Sequence, residues 1–398
     1  MLLLIQFYLN IAKVVFWTSA AALLHSYLLF PFILKILAKF KTNNNLCYSD
    51  MNELPGISVI LSVYNEEQVI ESKIENLFQS DYPLHQLEVI AGSDASTDNT
   101  NAILASLVKK YPNLHFYSYS QRQGKPSVIN QLVKYANHQI LIFTDANIFF
   151  EPRTIFHLVK HFKNPDIGLV GGNIVVPHTE KKGISFQEKT FMTHEIKIKY
   201  NEGKIWGAMI GAHGACYAIR KGYFSPIPEG FAVDDFYITL KVLEIGSRCI
   251  LELAARYMEK MSDNSKDEFA RKVRISAGNF QNLKIFGHLL WPPYRGLAFC
   301  FLSHKVLRWF GPFFLVLAII SNIFLLDGNN FYLCMFYFQC LLAIGIPLAD
   351  HLLKKIKIDI VILRFISHFY NMNLALLWGF FKFLKGVKTN VWQPTRRK

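Results

Sequence analysis

The chain has 398 residues, 52% of them hydrophobic, with 34 phenylalanines, 18% charged residues and a formal net charge of +14. This is room for one sizeable α/β domain plus membrane segments, and it is too apolar for a purely soluble protein. The cations sit mostly beside apolar segments, so a membrane surface accounts for them and nucleic acid is not expected as a partner.

The six cysteines form no CxxC and no paired spacing. A zinc centre and a disulfide framework are therefore not expected, and a reducing compartment is the default.

Residues 14–34 carry no charge and are long enough to span a bilayer. Lys35, Lys39 and Lys41 follow at once, which assigns that end to the cytoplasmic face. No small-residue cleavage pattern follows, so the segment is expected to remain as an anchor. Residues 1–40 thus read as a transmembrane helix with its basic flank, and 41–55 as a polar linker.

Residues 56–286 read as a cytoplasmic α/β domain. An apolar run, Ile57 to Val63, ends in Tyr64-Asn65-Glu66-Glu67, a helical pattern follows, and a second run, Leu87 to Ala91, breaks into Gly92-Ser93-Asp94-Ala95-Ser96-Thr97-Asp98. That is a β-α-β unit with carboxylates at the carboxyl ends of both strands, where open α/β sheets bind ligands. A third strand, Gln139 to Phe143, delivers Thr144-Asp145-Ala146-Asn147 in the same manner.

Beyond this domain, 287–308 reads as interfacial, with Leu289 to Tyr294 carrying Trp291 and Tyr294 at headgroup level. Residues 309–349 read as a transmembrane hairpin, with spans from Trp309 to Leu326 and from Phe331 to Ala349. Its turn, Asp327 to Asn330, lacks lysine and arginine and suits the outer face. Lys305 and Arg308 before it, and Lys354, Lys355 and Lys357 after it, suit the inner face.

Residues 350–398 read as an interfacial or re-entrant helix, Ile358 to Leu384, followed by a basic cytoplasmic tail with Lys385, Lys388, Arg396, Arg397 and Lys398. A fourth span is the alternative.

Several residues bear on chemistry. Asp145 and Asn147, two apart after a strand, are hard oxygen donors suited to Mg²⁺ or Mn²⁺, although such a tripeptide also serves as a turn or a helix cap. Asp94 sits at a strand end and favours nucleotide contact, whereas Asp98 reads as the cap of the helix starting near Asn99. Gln121-Arg122-Gln123-Gly124-Lys125-Pro126 precedes a helix; its glycine permits close backbone approach and Lys125 can reach a phosphate or ribose, yet no P-loop is present.

Asp234 and Asp235 open an amphipathic helix, where they answer the helix dipole or, crowded together, raise one pKa toward base function. Arg271-Lys272-Val273-Arg274 is a cationic run, either a solvated face or a cradle for a leaving diphosphate. The glycines of Gly207 to Cys216, Gly211 and Gly214 among them, allow close approach of a sugar or simply tight packing.

Taken in order, SVYNEE (Ser62 to Glu67), SDASTD (Ser93 to Asp98), QGKP (Gln123 to Pro126), TDAN (Thr144 to Asn147), DDF (Asp234 to Phe236) and RKVRI (Arg271 to Ile275) resemble the inverting, membrane-bound family 2 glycosyltransferases. These have the GT-A fold and include cellulose, chitin and hyaluronan synthases; the resemblance covers roughly Pro55 to Pro293. It implies an α/β, Rossmann-like nucleotide-diphospho-sugar transferase domain on the cytoplasmic side of the inner membrane, in a multi-pass protein.

By position, Tyr64, Glu66 and Asp94 would hold the nucleoside (uridine), Lys125 the ribose or phosphates, and Asp145 with Asn147 the metal. Asp234 would lie with the substrate, Asp235 would match the catalytic base and Arg274 would stabilise the leaving diphosphate. Gly211 and Gly214 would belong to the loop near the acceptor.

The chain departs from the pattern at three places. Asn147 replaces the second acid of DxD, Asp234 stands where glutamate is usual, and Arg271 and Ile275 occupy the glutamine and tryptophan positions of QxxRW. Loss of that tryptophan, with about three spans, weakens a polymer-extruding reading.

The expected function is transfer of one sugar, from a UDP-hexose or UDP-N-acetylhexosamine, to a lipid-linked or polysaccharide acceptor, with membrane lipids as further partners. A small processive β-polysaccharide synthase and a catalytically silent nucleotide-sugar-binding membrane protein are the alternatives. A transporter would need more spans, and a Rossmann dehydrogenase would need GxGxxG. The sequence sets no oligomeric state.

Overall fold

The computed structural model describes residues 2–175, 184–259, 265–326, 329–356 and 358–386. Asp327 and Gly328 of the expected outer turn, Lys357, and Lys388, Arg396, Arg397 and Lys398 of the basic tail lie outside these residues.

Among the described residues eight strands form one sheet: β1 (Ile57–Val63), β2 (Leu87–Asp94), β3 (Leu114–Tyr119), β4 (Ile140–Thr144), β5 (Ile148–Phe150), β6 (Ile167–Val175), β7 (Cys216–Arg220) and β8 (Arg248–Glu259). Their order across the sheet is β3-β2-β1-β4-β7-β6-β8-β5. β3, β2, β1 and β4 run parallel. β7 lies antiparallel between β4 and β6, β8 parallels β6 with two register shifts, and β5 pairs antiparallel with the outer edge of β8.

β1 and β2 are apolar almost without alternation because helices cover both faces of the parallel half. Every residue of β2 is buried, and β1 is buried but for Ser62. The helices Ile70–Phe78 and Thr100–Lys110 make the crossovers. Since β1, β2 and β4 are parallel and in register (Leu61 opposite Ala91 and Thr144), their carboxyl ends open on one edge. That edge brings Tyr64, Asp94 and Asp145 together, as open α/β sheets do with their ligand-binding residues.

Two helices are long and apolar enough to cross a membrane, Leu3–Leu37 and Asn330–Lys355, among the described residues. A third candidate is the pair Arg295–Trp309 and Gly311–Ile323, bent by 62°. The first helix extends well beyond the expected 14–34 and takes in Lys13. In the second region, the apolar helix starts at Arg295 rather than at Trp309, and the bend falls just before Pro312, whose ring and missing N–H break the helical ladder.

The helix Val361–Leu384 is not among the candidate spans and packs across the helix Ser265–Phe286. Ser276 Oγ donates to Leu376 O at 2.8 Å, and a Cβ on Gly379 would collide with that of Ser276. It thereby backs the helix carrying Arg271 and Arg274.

Candidate active site

The turns after β1 and β2 are latched to each other. Asn65, with φ of 52°, accepts from Thr97 N at 2.8 Å, and Glu67 Oε2 accepts from Asn99 N at 3.0 Å. Asp98 Oδ1 accepts from Thr100 N at 3.0 Å, but the N-cap of the helix Thr100–Lys110 is Asn99, so Asp98 lies one residue ahead of the cap rather than at it. Glu66 is buried, and its N–H donates to Thr100 Oγ1 at 2.9 Å.

Asp94 does not stand open at the strand end. It is buried, and its oxygens accept from Gln123 N at 2.7 Å and Gly124 N at 2.9 Å. These charge-assisted bonds fold the Gln121–Pro126 segment back over β2. The guanidinium of Arg122 consequently lies 3.3 Å from the centre of the Tyr64 ring. Gly124, with φ of 87°, turns the chain into the helix Lys125–Tyr135, and Lys125 points back across the strand ends.

There Lys125 Nζ lies 2.7 Å from Asp145 Oδ1 and 3.8 Å from Asp234 Oδ2. Burial opposes its charge, but Asp145 and Asp234 override that and hold the ammonium above the ordinary lysine value. Asp145 opens a tight turn in which its carbonyl accepts from Ile148 N at 3.3 Å. Beneath that turn, Lys73 is fully buried and donates to Thr144 Oγ1 at 3.0 Å and to Ile148 O at 2.5 Å, one contact on each side of the turn. Burial brings Lys73 down to about 7.

Asp234 and Asp235 begin the helix Asp234–Glu244. Burial first, and the neighbouring Asp234 second, push the Asp235 carboxyl up to about 6. Its Oδ1 accepts from Phe236 N at 2.7 Å, and Gly214 leaves room for Oδ2, since a Cβ there would lie 2.8 Å from it. Gly211 is at φ of 78° and a side chain there would strike the Phe236 ring. His213, in the same loop, lies 2.6 Å from the Tyr257 hydroxyl; burial, with Lys199 and Arg271 nearby, lowers it to about 3 and keeps it neutral.

Arg271 is bidentate on Glu268, with both contacts at 2.9 Å, which ties it down within its own helix. Burial lowers Arg274 below the ordinary arginine value, while Asp234, Asp235 and Asp145 act in the opposite sense. Its charge is thus felt by all three acids.

One edge of the sheet therefore gathers Asp145, Asn147, Lys125, Asp234, Asp235 and Arg274. Among the described residues no group of three His, Cys, Asp or Glu side chains could by itself hold a metal ion. Asp145 and Asn147 supply hard oxygen donors of the kind Mg²⁺ and Mn²⁺ take, and the Asp145 side chain is 37% exposed and open to a ligand. The donor set fits a metal that completes its shell with oxygens of a bound phosphate group and water. Sequence reasoning passed over Lys73, which reads as a solvated position in an amphipathic helix, and over the anchoring of Asp94.

Residues 58–227 match the family model described as Glycosyl transferase family 2. The poly-beta-1,6-N-acetyl-D-glucosamine synthase of Staphylococcus epidermidis is 30% identical over 129 residues, 32% of this chain and 31% of that protein. The enzyme of the same description from Staphylococcus aureus is 30% identical over 125 residues, 31% of this chain and 30% of its own length. The matches thus span about a third of these relatives.

A solved structure, the mannosyltransferase PcManGT from Pyrobaculum calidifontis in complex with GDP-Man and Mn²⁺, superposes with a TM-score of 0.69. At 20% identity it covers 95% of this chain and 99% of its own. That likeness establishes a shared fold.

Proposed function

We propose that the chain, whose residues 58–227 match the family model described as Glycosyl transferase family 2 and whose fold is shared with a solved mannosyltransferase, is an inverting glycosyltransferase of the cell envelope. It moves a sugar from a nucleotide-sugar donor, a UDP-hexose or UDP-N-acetylhexosamine, to a lipid-linked or polysaccharide acceptor at the cytoplasmic face of the membrane. The observation that carries the reading is the convergence on one sheet edge of a raised carboxyl, Asp235, with Lys125, Asp145 and Arg274.

Asp235 accepts the proton of the acceptor hydroxyl as that oxygen attacks the anomeric carbon. The bond from that carbon to the diphosphate breaks on the opposite face, and its electron pair leaves with the diphosphate. Lys125 and Arg274 neutralise the negative charge that develops there. Asp145 and Asn147 would hold Mg²⁺ or Mn²⁺ with the donor's phosphate oxygens, and the metal when bound supplies Lewis-acid neutralisation of the leaving group.

Tyr64 and Glu66 contact the nucleoside. Asp94 acts on it through the loop it holds, since its oxygens already receive Gln123 and Gly124. The lysines after the first apolar helix support the cytoplasmic placement.

A second reading, a processive polymer synthase, is favoured by the names of the 30% identical relatives. Against it stand Ile275 in place of tryptophan and only two or up to three candidate spans among the described residues.

Purified protein in lipid nanodiscs, given a panel of radiolabelled UDP- and GDP-sugars with Mn²⁺ or Mg²⁺, tests both. Metal-dependent turnover of one donor, lost in Asp145→Ala, is expected, and product length against time separates single addition from polymerisation. Nucleotide binding without turnover of any donor would favour a silent binder.

A further inference from the structure

The chain carries a second set of buried charge where the helix Ile184–Trp206 meets the apolar helices. Glu188, Glu195 and Glu202 recur at seven-residue intervals on that helix and so share one face. All three are buried, Glu202 completely. Glu188 pairs with Lys272 at 3.2 Å and His368 at 3.1 Å. Glu195 pairs with Lys305, with Arg308 at 3.1 Å and with His304 Nε2 at 2.9 Å. Glu202 Oε1 lies 2.8 Å from His304 Nδ1, so His304 is clamped between two carboxylates.

The other oxygen of Glu202 points toward the chemistry. Oε2 accepts from Ile210 N at 3.1 Å, in the loop from Gly207 to Gly214. Two residues on, Ala212 N donates to Thr239 Oγ1 at 2.9 Å, and that hydroxyl donates to Asp235 O at 2.7 Å. Gly214 then packs against Asp235 Oδ2. In the other direction, Arg308 Nη2 donates to Ser26 O at 3.4 Å, within the apolar helix Leu3–Leu37. An unbroken run of contacts thus joins the membrane-side helices to the proposed base.

We propose that Glu202 and His304 are positioning residues that fix the Gly207–Gly214 loop against Asp235, so that the helix Arg295–Trp309 sets the acceptor side of the site. The inference rests on Asp235 serving as the base in the reading above. Packing alone does not call for such a cluster, because apolar residues of similar volume often replace a buried ion pair without loss of stability. What apolar residues lack is an acceptor for Ile210 N. The helix also widens to a π turn over Phe301–Val306, which carries His304 inward, and such turns recur at functional sites.

The test compares wild type with Glu202→Leu, His304→Leu, the double variant and Glu202→Gln in nanodiscs. Three quantities are measured: binding of Mn²⁺ with UDP or GDP, hydrolysis of the radiolabelled donors, and transfer to acceptor. Glu202→Leu is expected to lose about ten- to a hundredfold in transfer, the scale of a misplacement near 1 Å. Nucleotide binding and donor hydrolysis should hold.

The double variant should be no worse than Glu202→Leu alone, because the two residues act as one unit. Glu202→Gln keeps an oxygen for Ile210 N and an amide N–H for His304, and should keep transfer. Parallel losses in binding, hydrolysis and transfer would mark a merely structural role and overturn the proposal, as would unchanged transfer in Glu202→Leu or a loss in Glu202→Gln as large. A wild type that binds no nucleotide and transfers from no donor would instead overturn the functional reading, and this inference with it.

Discussion

Replacing Asp235 with asparagine removes a charge while leaving the shape and the acceptor for Phe236 N in place. In the folded chain this carboxyl is raised from 3.8 to about 6, by burial and then by Asp234. A raised value means that the native state prefers the protonated form, so the group's stability contribution is present at low pH and is lost as pH rises through 6. The ionised side chain then costs about 3 kcal/mol at pH 8 and roughly half that at pH 5, from ~1.4 kcal/mol for each tenfold change in the protonation equilibrium.

Asp235→Asn should therefore raise the thermal midpoint by a few degrees at pH 8 and by less at pH 5. Transfer should fall by about 10²- to 10⁴-fold, the usual worth of a positioned base. Binding of Mn²⁺ with nucleotide should stay near wild type. Wild-type kcat/KM should rise with pH through an inflection near 6 that the variant lacks. Scanning fluorimetry at the two pH values, set beside radiolabelled transfer, checks all of this. A variant that still transfers sugar at the wild-type rate, or one whose midpoint gain is the same at both pH values, would refute the reasoning.

Three other changes have defined outcomes. Asn147→Asp restores a second acid beside Asp145 and should lower the Mn²⁺ concentration for half-maximal transfer by about tenfold, the effect of one added charge close to the ion; a metal titration checks it. Gly214→Ala sets a Cβ 2.8 Å from Asp235 Oδ2 and should cut transfer at least ~10-fold, with circular dichroism unchanged.

Lys73→Met removes an ammonium that burial lowers from 10.5 to about 7. That cost is full below pH 7, roughly 5 kcal/mol, and falls to about 2 kcal/mol at pH 9, offset in part by the lost bonds to Thr144 and Ile148. The midpoint gain, read by scanning fluorimetry, should thus be larger at pH 6 than at pH 9, opposite in sign to the trend for Asp235→Asn.

The parallel half of the sheet is legible in the sequence because β1, β2 and β4 are mostly apolar runs that stop at polar, acid-bearing turns. Chain order alone then places Tyr64, Asp94 and Asp145 at one edge. The antiparallel half is not, since β5, β6, β7 and β8 are joined by pairings between distant segments that no local period encodes. Asp94 illustrates a different gap: a strand-end acid reads as a ligand contact until the loop 30 residues later returns two amides to it.

The carboxylate face of Ile184–Trp206 is hidden for a similar reason. Glu188, Glu195 and Glu202 read as the wet side of a helix, because their partners lie as much as 180 residues further on. Its one local signal is the placement of His304, Lys305 and Arg308 just ahead of an apolar segment, where buried charge is expensive without partners.

The turn from Asp145 to Asn147 has a mechanical meaning. It joins β4, in the middle of the sheet, to β5 at the far edge, and the strands between them are β7, β6 and β8. Four strand spacings amount to ~19 Å, whereas the four Cα steps from Thr144 to Ile148 cannot exceed ~15 Å. The sheet must therefore curl until its edge returns to its centre. Hydrogen-bonded ladders and one covalent turn thereby close into a hoop, and the proposed metal ligands sit on the clasp. A hoop of fixed circumference leaves no slack at its clasp, so one residue added to this turn would loosen the whole ring, while the same residue added to an outer crossover loop would be absorbed there.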